Sequence, residues 1–297
     1  MGHCMSLNNL LYRDLDKAAL ERGYNARESV PSFDAEYARY VAASERVKRE
    51  ISHLADIVYD PPSGETLDFY PAHPGAPVFL WIHGGYWRAT SKNDNAFVVP
   101  GPRAHGMAVA VVNYTLAPAV TLDEIVRQVR QAIAFLHANR ERFAIAPDPL
   151  AVGGSSAGGH LVGMLLAGGW HGDFNVPENT IGAALALSGL HDIEPLRHTQ
   201  VNDWLGLDDD SIARNSPIRH IPQRSSARLL ASVGGLETAE FKRQTADYHA
   251  AWIAAGHAGA LLDMPRHNHF DIALSLGDPD GVLAKAIAEL ATLTDRD

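Results

Sequence analysis

The chain reads as an α/β protein with a mostly parallel central sheet covered by helices on both faces. Three observations predict this. Short, continuous apolar runs recur along the sequence, as strands buried on both faces should. Amphipathic stretches with helical spacing fall between most of them. One run ends in a glycine-rich turn leading directly into a helix start, LAVGGSSAGGHL (150–161). With 297 residues and 46% apolar composition, the length and core suit one large domain spanning 1–297.

Residues 6–55 are charged and helical. RDLDKAALERGYNAR and FDAEYARYVAASERVKREI both carry helical spacing, separated at Val30-Pro31. Amphipathic helices usually just pack, so this extension is expected to be a solvated face resting on the core rather than a cap over a pocket. DIVYD (56–60) and ETLDFYP (65–71) read as two antiparallel edge strands around a Pro-Pro-Ser-Gly turn. The buried-strand runs are PVFLWI (77–82), MAVAVVNY (107–114), LAVGG (150–154), IGAALALS (181–188), ARLLASVGG (227–235) and ALLDM (260–264). Residues 122–143 place Ile125, Val126, Val129, Ile133 and Leu136 on one helical face. Residues 241–256 form another helix, which Gly256 is suited to stop. Residues 280–293 form the last. The segment 190–226 is polar, contains Trp204 and is too long for a plain connection, which predicts a lid or insertion.

Net charge is −10 with no long basic run, which argues against nucleic acid or an anionic membrane as partner. No apolar run reaches the roughly 18 residues of a membrane span. A single cysteine, Cys4, excludes an internal disulfide framework and fits a reducing compartment. MGHCMSLNNL has no signal-peptide core, so a cytoplasmic location is expected. Met5 reads as a second start, which would make residues 1–4 an addition to the natural chain. A small molecule is the expected partner, and the sequence leaves a homodimer open.

Within LAVGGSSAGGHL, Gly154, Ser156 and Gly158 match Gly-x-Ser-x-Gly. A sharp strand-to-helix turn strains the serine backbone, exposes its hydroxyl and aims the next N–H, that of Ala157, at a developing oxyanion. Ser155 is the rival, but it lacks flanking glycines at the right offsets. A serine nucleophile needs a base, and the base an orienting acid. On such a sheet they follow in the chain order serine, acid, histidine, each beyond a strand end. The acid slot after ARLLASVGG offers Glu237 and Glu240. The histidine slot after ALLDM offers His267 and His269. The loop after PVFLWI begins His83-Gly84-Gly85-Tyr86-Trp87, and its paired glycines suit a second oxyanion donor.

No cofactor is expected. The glycines at 153, 154, 158 and 159 fit neither a phosphate loop nor Gly-x-Gly-x-x-Gly. His267, His269 and Asp271 lack the further ligands a metal site needs. Tyr86, Trp87 and Trp204 are candidate aromatic walls for a substrate pocket.

The whole chain resembles an α/β-hydrolase of the kynurenine formamidase (arylformamidase) type and its bacterial esterase-like relatives. HGGYW (83–87), NYTLAP (113–118), GGSSAGGHL (153–161), ETAEFKRQ (237–244), NHFDI (268–272) and RGYNAR (22–27) carry the resemblance. It implies Ser156 as nucleophile, His269 as base and Glu237 as the orienting acid, standing where the animal enzymes have aspartate. Glu240 would then anchor the helix, and Asp271 comes too late in the chain to be the acid. The implied activity is hydrolysis of N-formyl-L-kynurenine or a related aryl formamide. The alternative is a carboxylesterase for small-acyl esters.

Overall fold

A computed structural model describes residues 10–147 and 149–292. The readings made for Cys4 and Met5 therefore lie outside the described residues.

Among the described residues, eight strands form one sheet: β1 (Leu54–Asp60), β2 (Glu65–Tyr70), β3 (Val78–Ile82), β4 (Ala108–Val112), β5 (Leu150–Ser155), β6 (Ile181–Leu187), β7 (Arg228–Gly234) and β8 (Gly259–Met264). Their spatial order is β1-β2-β4-β3-β5-β6-β7-β8. β1 pairs antiparallel with β2, and β2 antiparallel with β4. All other pairings are parallel. The sheet thus has the predicted strands, with the antiparallel pair at one edge, but β8 is a correction. Read as buried on both faces, it is the opposite edge strand and is exposed along most of its length, because no strand among the described residues pairs with its outer side.

Among the described residues, six helices of eight or more residues surround it: α1 (Lys17–Tyr24), α2 (Phe33–Glu50), α3 (Leu122–Ala138), α4 (Ala157–Leu166), α5 (Ala239–Ala254) and α6 (Val282–Thr292). Their starts follow side-chain capping. Asp16, Ser32 and Thr121 each accept the N–H of the residue three positions on, satisfying a donor that has no partner inside the helix. α5 stops where Gly256 adopts φ +86°, a conformation that costs glycine little.

Alternation along β3 shows why the sheet needs cover on both faces. Leu80 and Ile82 pack in a layer with α3, α4 and α5, whereas Phe79 and Trp81 pack in the opposite layer with α2 and α6. All five β3 residues are buried. Burial of each such large side chain contributes about 1.5–3 kcal/mol.

Segment 190–226 differs from a plain polar excursion. It carries short helical turns, including Glu194–His198, Asn202–Leu205 and Asp209–Asn215. Leu190, Ile193 and Leu196 anchor it in the core.

Candidate active site

The parallel strands deliver the predicted residues to their C-terminal ends, the usual place for a site in an open α/β sheet. β5 runs to Ser155, and Ser156 follows with φ 59° and ψ −118° before α4 begins at Ala157. This backbone region is unfavourable for a side-chain-bearing residue, costing about 1–3 kcal/mol, and the surroundings hold it there. The glycines are required by close approach. A Cβ on Gly158 would lie 2.1 Å from the Ile82 carbonyl oxygen, and one on Gly154 would lie 2.5 Å from the Gly158 backbone. The elbow can therefore pack against β3 only with bare backbone at both positions.

Beyond β7, Glu237 is buried and its carboxylate is held at both oxygens. Oε1 accepts the Ser188 hydroxyl at 2.6 Å and the Gly234 N–H at 2.7 Å. Oε2 lies 2.6 Å from His269 Nδ1, beyond the end of β8. A carboxylate only accepts, so the ring proton sits on Nδ1 and Nε2 keeps its lone pair, as a base requires. Phe241 packs on the His269 ring with centroids 4.3 Å apart. Ser156 and His269 line the same cavity, about 550 Å³ in volume.

The rival residues are placed otherwise. Glu240 accepts from the Tyr24 hydroxyl at 2.8 Å and pairs with Arg243 at 2.7 Å, so it ties α5 to the end of α1. Asp271 accepts the Asn268 N–H at 2.7 Å, closing the turn that precedes its own short helix. His267 donates its backbone N–H to the Met264 carbonyl, and its own carbonyl accepts from Leu236. Among the described residues no three His, Cys, Asp or Glu side chains gather to hold a metal.

Gly84 lies against the elbow: a Cβ there would sit 2.8 Å from the Ser155 carbonyl oxygen and 3.3 Å from Ser156 Cβ. Gly85 turns with φ +95°, and a Cβ on it would be 2.2 Å from the Ala89 carbonyl oxygen. The loop's backbone thus passes beside Ser156, and Ala157 starts a helix whose first N–H groups lack intrahelical partners. A buried network supports the loop. The Gly84 carbonyl accepts from the hydroxyls of Thr90 (3.1 Å) and Tyr114 (3.3 Å), and lies 2.9 Å from His83 Nδ1. Tyr114 stacks on the His83 ring with centroids 4.2 Å apart. Burial depresses the His83 pKa to about 4, so the ring is neutral at physiological pH.

Of the three aromatic candidates, Tyr86 and Trp204 line the cavity. The Trp204 indole donates to the Tyr86 carbonyl oxygen at 3.0 Å. Trp87 is a correction. It is 0% exposed and meets the buried His160 edge-on with centroids 4.9 Å apart, because the turn through Tyr86 and Trp87, left-handed at both, puts the two adjacent side chains in different surroundings. The N-terminal extension is a second correction. It does more than rest on the core: Tyr24, Phe33, Tyr37 and Tyr40 form one wall of the cavity. Hydrogen bonds set that wall in place. Thr238 Oγ1 donates to the Gly23 carbonyl at 2.5 Å, and Gln244 Nε2 donates to the Tyr24 hydroxyl at 2.9 Å. Tyr86 also donates its hydroxyl to the Tyr24 carbonyl.

Sequence reasoning missed Ser188, Thr90 and Tyr114. A polar residue ending the apolar run IGAALALS was the available signal for Ser188. Nothing local pointed to Thr90.

The fold and this strand-end arrangement define an enzyme of the α/β-hydrolase fold. The chain belongs to the BD-FAE family, whose profile matches residues 67–232. It is 29% identical to kynurenine formamidase of Danio rerio over 94% of this chain and 98% of that protein. It is likewise 29% identical to kynurenine formamidase of Salmo salar, over 94% and 98%. Among solved structures, a Silicibacter protein assigned provisionally as a thioesterase superposes with TM-score 0.79 at 26% identity, covering 90% of this chain and 98% of that one. The esterase LipW from Mycobacterium marinum shares the fold with TM-score 0.67 at 20% identity, covering 87% and 86%. Hydrolysis is thus the activity of this chain, and among the described residues no helix is long and apolar enough to cross a membrane.

Proposed function

We propose that the protein is a cofactor-free serine hydrolase that cleaves an aryl formamide such as N-formyl-L-kynurenine. The observation that carries this reading is the 2.6 Å contact between His269 Nδ1 and the buried Glu237 Oε2, with His269 and the strained Ser156 lining one cavity. Ser156 Oγ attacks the formyl carbon while His269 Nε2 takes its proton, and Glu237 stabilises the imidazolium that forms. The N–H groups of Ala157 and of Gly84 or Gly85 stabilise the tetrahedral oxyanion. His269 then protonates the leaving aryl amine. Water, deprotonated by the same imidazole, releases formate from Ser156.

The formamide preference draws on two supports. The relatives that align over nearly the whole chain are named kynurenine formamidases. Gly84 packs against the elbow beside Ser156, and the cavity is lined by the aromatic rings of Phe33, Tyr86, Trp204 and Phe270. Its volume falls within the roughly 300–1,000 Å³ of small-molecule sites. Segment 190–226 brings Trp204 to the cavity and serves as its cover.

The test is kcat/KM on N-formyl-L-kynurenine beside p-nitrophenyl acetate. A higher value for the formamide is expected. Turnover of the ester with no cleavage of the formamide would overturn the formamidase reading in favour of a small-acyl carboxylesterase.

A further inference from the structure

Two cations line the same cavity without a carboxylate partner. Arg27 and Arg88 are both exposed, and neither has a carboxylate within 4.0 Å among the described residues. Each is held by an aromatic ring. The Arg27 guanidinium carbon stands 4.2 Å from the Phe33 ring centroid, and that of Arg88 stands 4.2 Å from the Trp204 centroid. Stacking uses the face of a guanidinium and leaves its N–H edge free to donate. The only carboxylate lining the cavity among the described residues, Glu21, already accepts the Gln200 N–H at 2.9 Å.

The supporting rings connect these cations to the reacting groups from two sides. Phe33 packs on Phe270, the neighbour of His269, with centroids 5.4 Å apart. Trp204 donates to the carbonyl of Tyr86, which follows the glycines of the oxyanion loop. Arg88 is therefore one aromatic ring, Trp204, from the loop beside Ser156, and Arg27 is two rings, Phe33 and Phe270, from His269. In a chain of net charge −10, an unneutralised pair of arginines at a cavity mouth is a local reversal of the field, and it draws anions.

We propose that Arg27 and Arg88 form a carboxylate-binding subsite that selects substrates whose leaving group carries an anionic carboxylate. A planar carboxylate matches the guanidinium fork, and the stacked rings hold both forks before substrate arrives. The inference rests on the hydrolase reading of this cavity but not on formamide chemistry.

Matched esters test it: 3-acetoxybenzoate, which is anionic, and its neutral methyl ester. The readout is the anion-to-neutral ratio of kcat/KM, which cancels any general loss of activity. In the wild-type protein the ratio should be about tenfold or more, the size expected for hydrogen bonds to a charged group. In the double variant Arg27→Gln, Arg88→Gln it should fall towards one. The ratio in the wild-type protein should also collapse as salt rises from ~0.01 M to ~1 M, which shortens the Debye length from about 30 Å to about 3 Å. The salt series keeps the test open if the double variant does not fold. A wild-type ratio near one, or a ratio that neither salt nor the double substitution lowers, would overturn the subsite. Anion preference on the esters together with inertness towards N-formyl-L-kynurenine would leave the subsite standing and remove only the formamidase reading.

Discussion

Ser188 donates its hydroxyl to Glu237 Oε1 at 2.6 Å, from the residue that immediately follows β6. The acid is thereby held from two strand ends, because the second donor to the same oxygen is the Gly234 N–H of β7. This leaves Oε2 committed to His269. Ser188→Ala removes one of the two donors and should lower kcat about tenfold with KM little changed, since the loss is of orientation and not of binding. Glu237→Gln should cost about 10⁴ in kcat, as the amide favours the wrong imidazole tautomer. Glu240→Gln, which sits in the α5–α1 tie, should leave the kcat pH profile unaltered and act instead on thermal stability. Steady-state kinetics and melting curves on the three variants check the order.

The elbow register can be read directly. Ser156→Ala should remove about 10⁴ to 10⁶ of kcat with the fold intact, and should abolish labelling by a fluorophosphonate. Ser155→Ala should keep the label, because Ser155 ends β5 and carries no elbow strain. Labelling lost in Ser155→Ala and kept in Ser156→Ala would assign the nucleophile to the other serine. His269→Ala should match Ser156→Ala in kinetics, whereas His267→Ala should not.

Gly84→Ala is the sharpest probe of the proposed oxyanion loop. Its Cβ would press on the Ser155 carbonyl oxygen at 2.8 Å and approach Ser156 Cβ at 3.3 Å. The loop must retreat, taking its N–H groups out of reach. A loss of about 10²–10³ in kcat is expected, the size of one missing oxyanion donor. Wild-type rates from a folded Gly84→Ala protein would remove this loop from the mechanism.

Acyl length tests whether the space beside Ser156 admits only a small acyl group. Across p-nitrophenyl esters of two to eight carbons, kcat/KM should fall with chain length, since each unaccommodated methylene is worth about 1–3 kcal/mol. A rise with length would reject the small-acyl pocket. With Trp87 in the core, the walls that matter are Tyr86 and Trp204.

Stability should fall below neutral pH for a reason separate from catalysis. Burial lowers the pKa of His83 and His160 to about 4, and of His191 to about 3. The unfolded chain binds these protons from its ordinary histidine value of about 6.5 downwards, so between that value and the folded ones it holds more protons than the native state. Stability is therefore highest above about 6.5 and declines as pH drops, by about 1.4 kcal/mol per pH unit for each histidine. The decline ends once pH passes the folded values. His191 stacks on Tyr248 with centroids 3.9 Å apart, and neither ring nitrogen has a hydrogen-bond partner among the described residues. His191→Phe should therefore keep the stack and flatten the slope of melting temperature against pH by about one proton's worth. An unchanged slope would show that His191 does not enter this linkage.

Much was legible in the linear chain, because it was local. A strand buried on both faces must be apolar throughout, so β3 to β7 announced themselves. An elbow needs glycine at two offsets from its serine, so Ser156 could be separated from Ser155 without coordinates. Chain order and strand ends narrowed the acid to two glutamates and the base to two histidines, and the resemblance chose between them. Side-chain direction was not legible, because it depends on backbone angles and on partners far along the chain. Trp87 and Tyr86 are adjacent, yet left-handed backbone at both sends one into the core and leaves the other on the cavity wall. The N-terminal helices read as ordinary amphipathic cover, and their role as a wall came from Thr238 and Gln244, more than 200 residues away, reaching Gly23 and Tyr24. The two unpaired arginines belong to the same class. Nothing in RGYNAR or HGGYWR distinguishes Arg27 and Arg88 from solvated charges, and only the packed chain stacks them on Phe33 and Trp204 around one cavity.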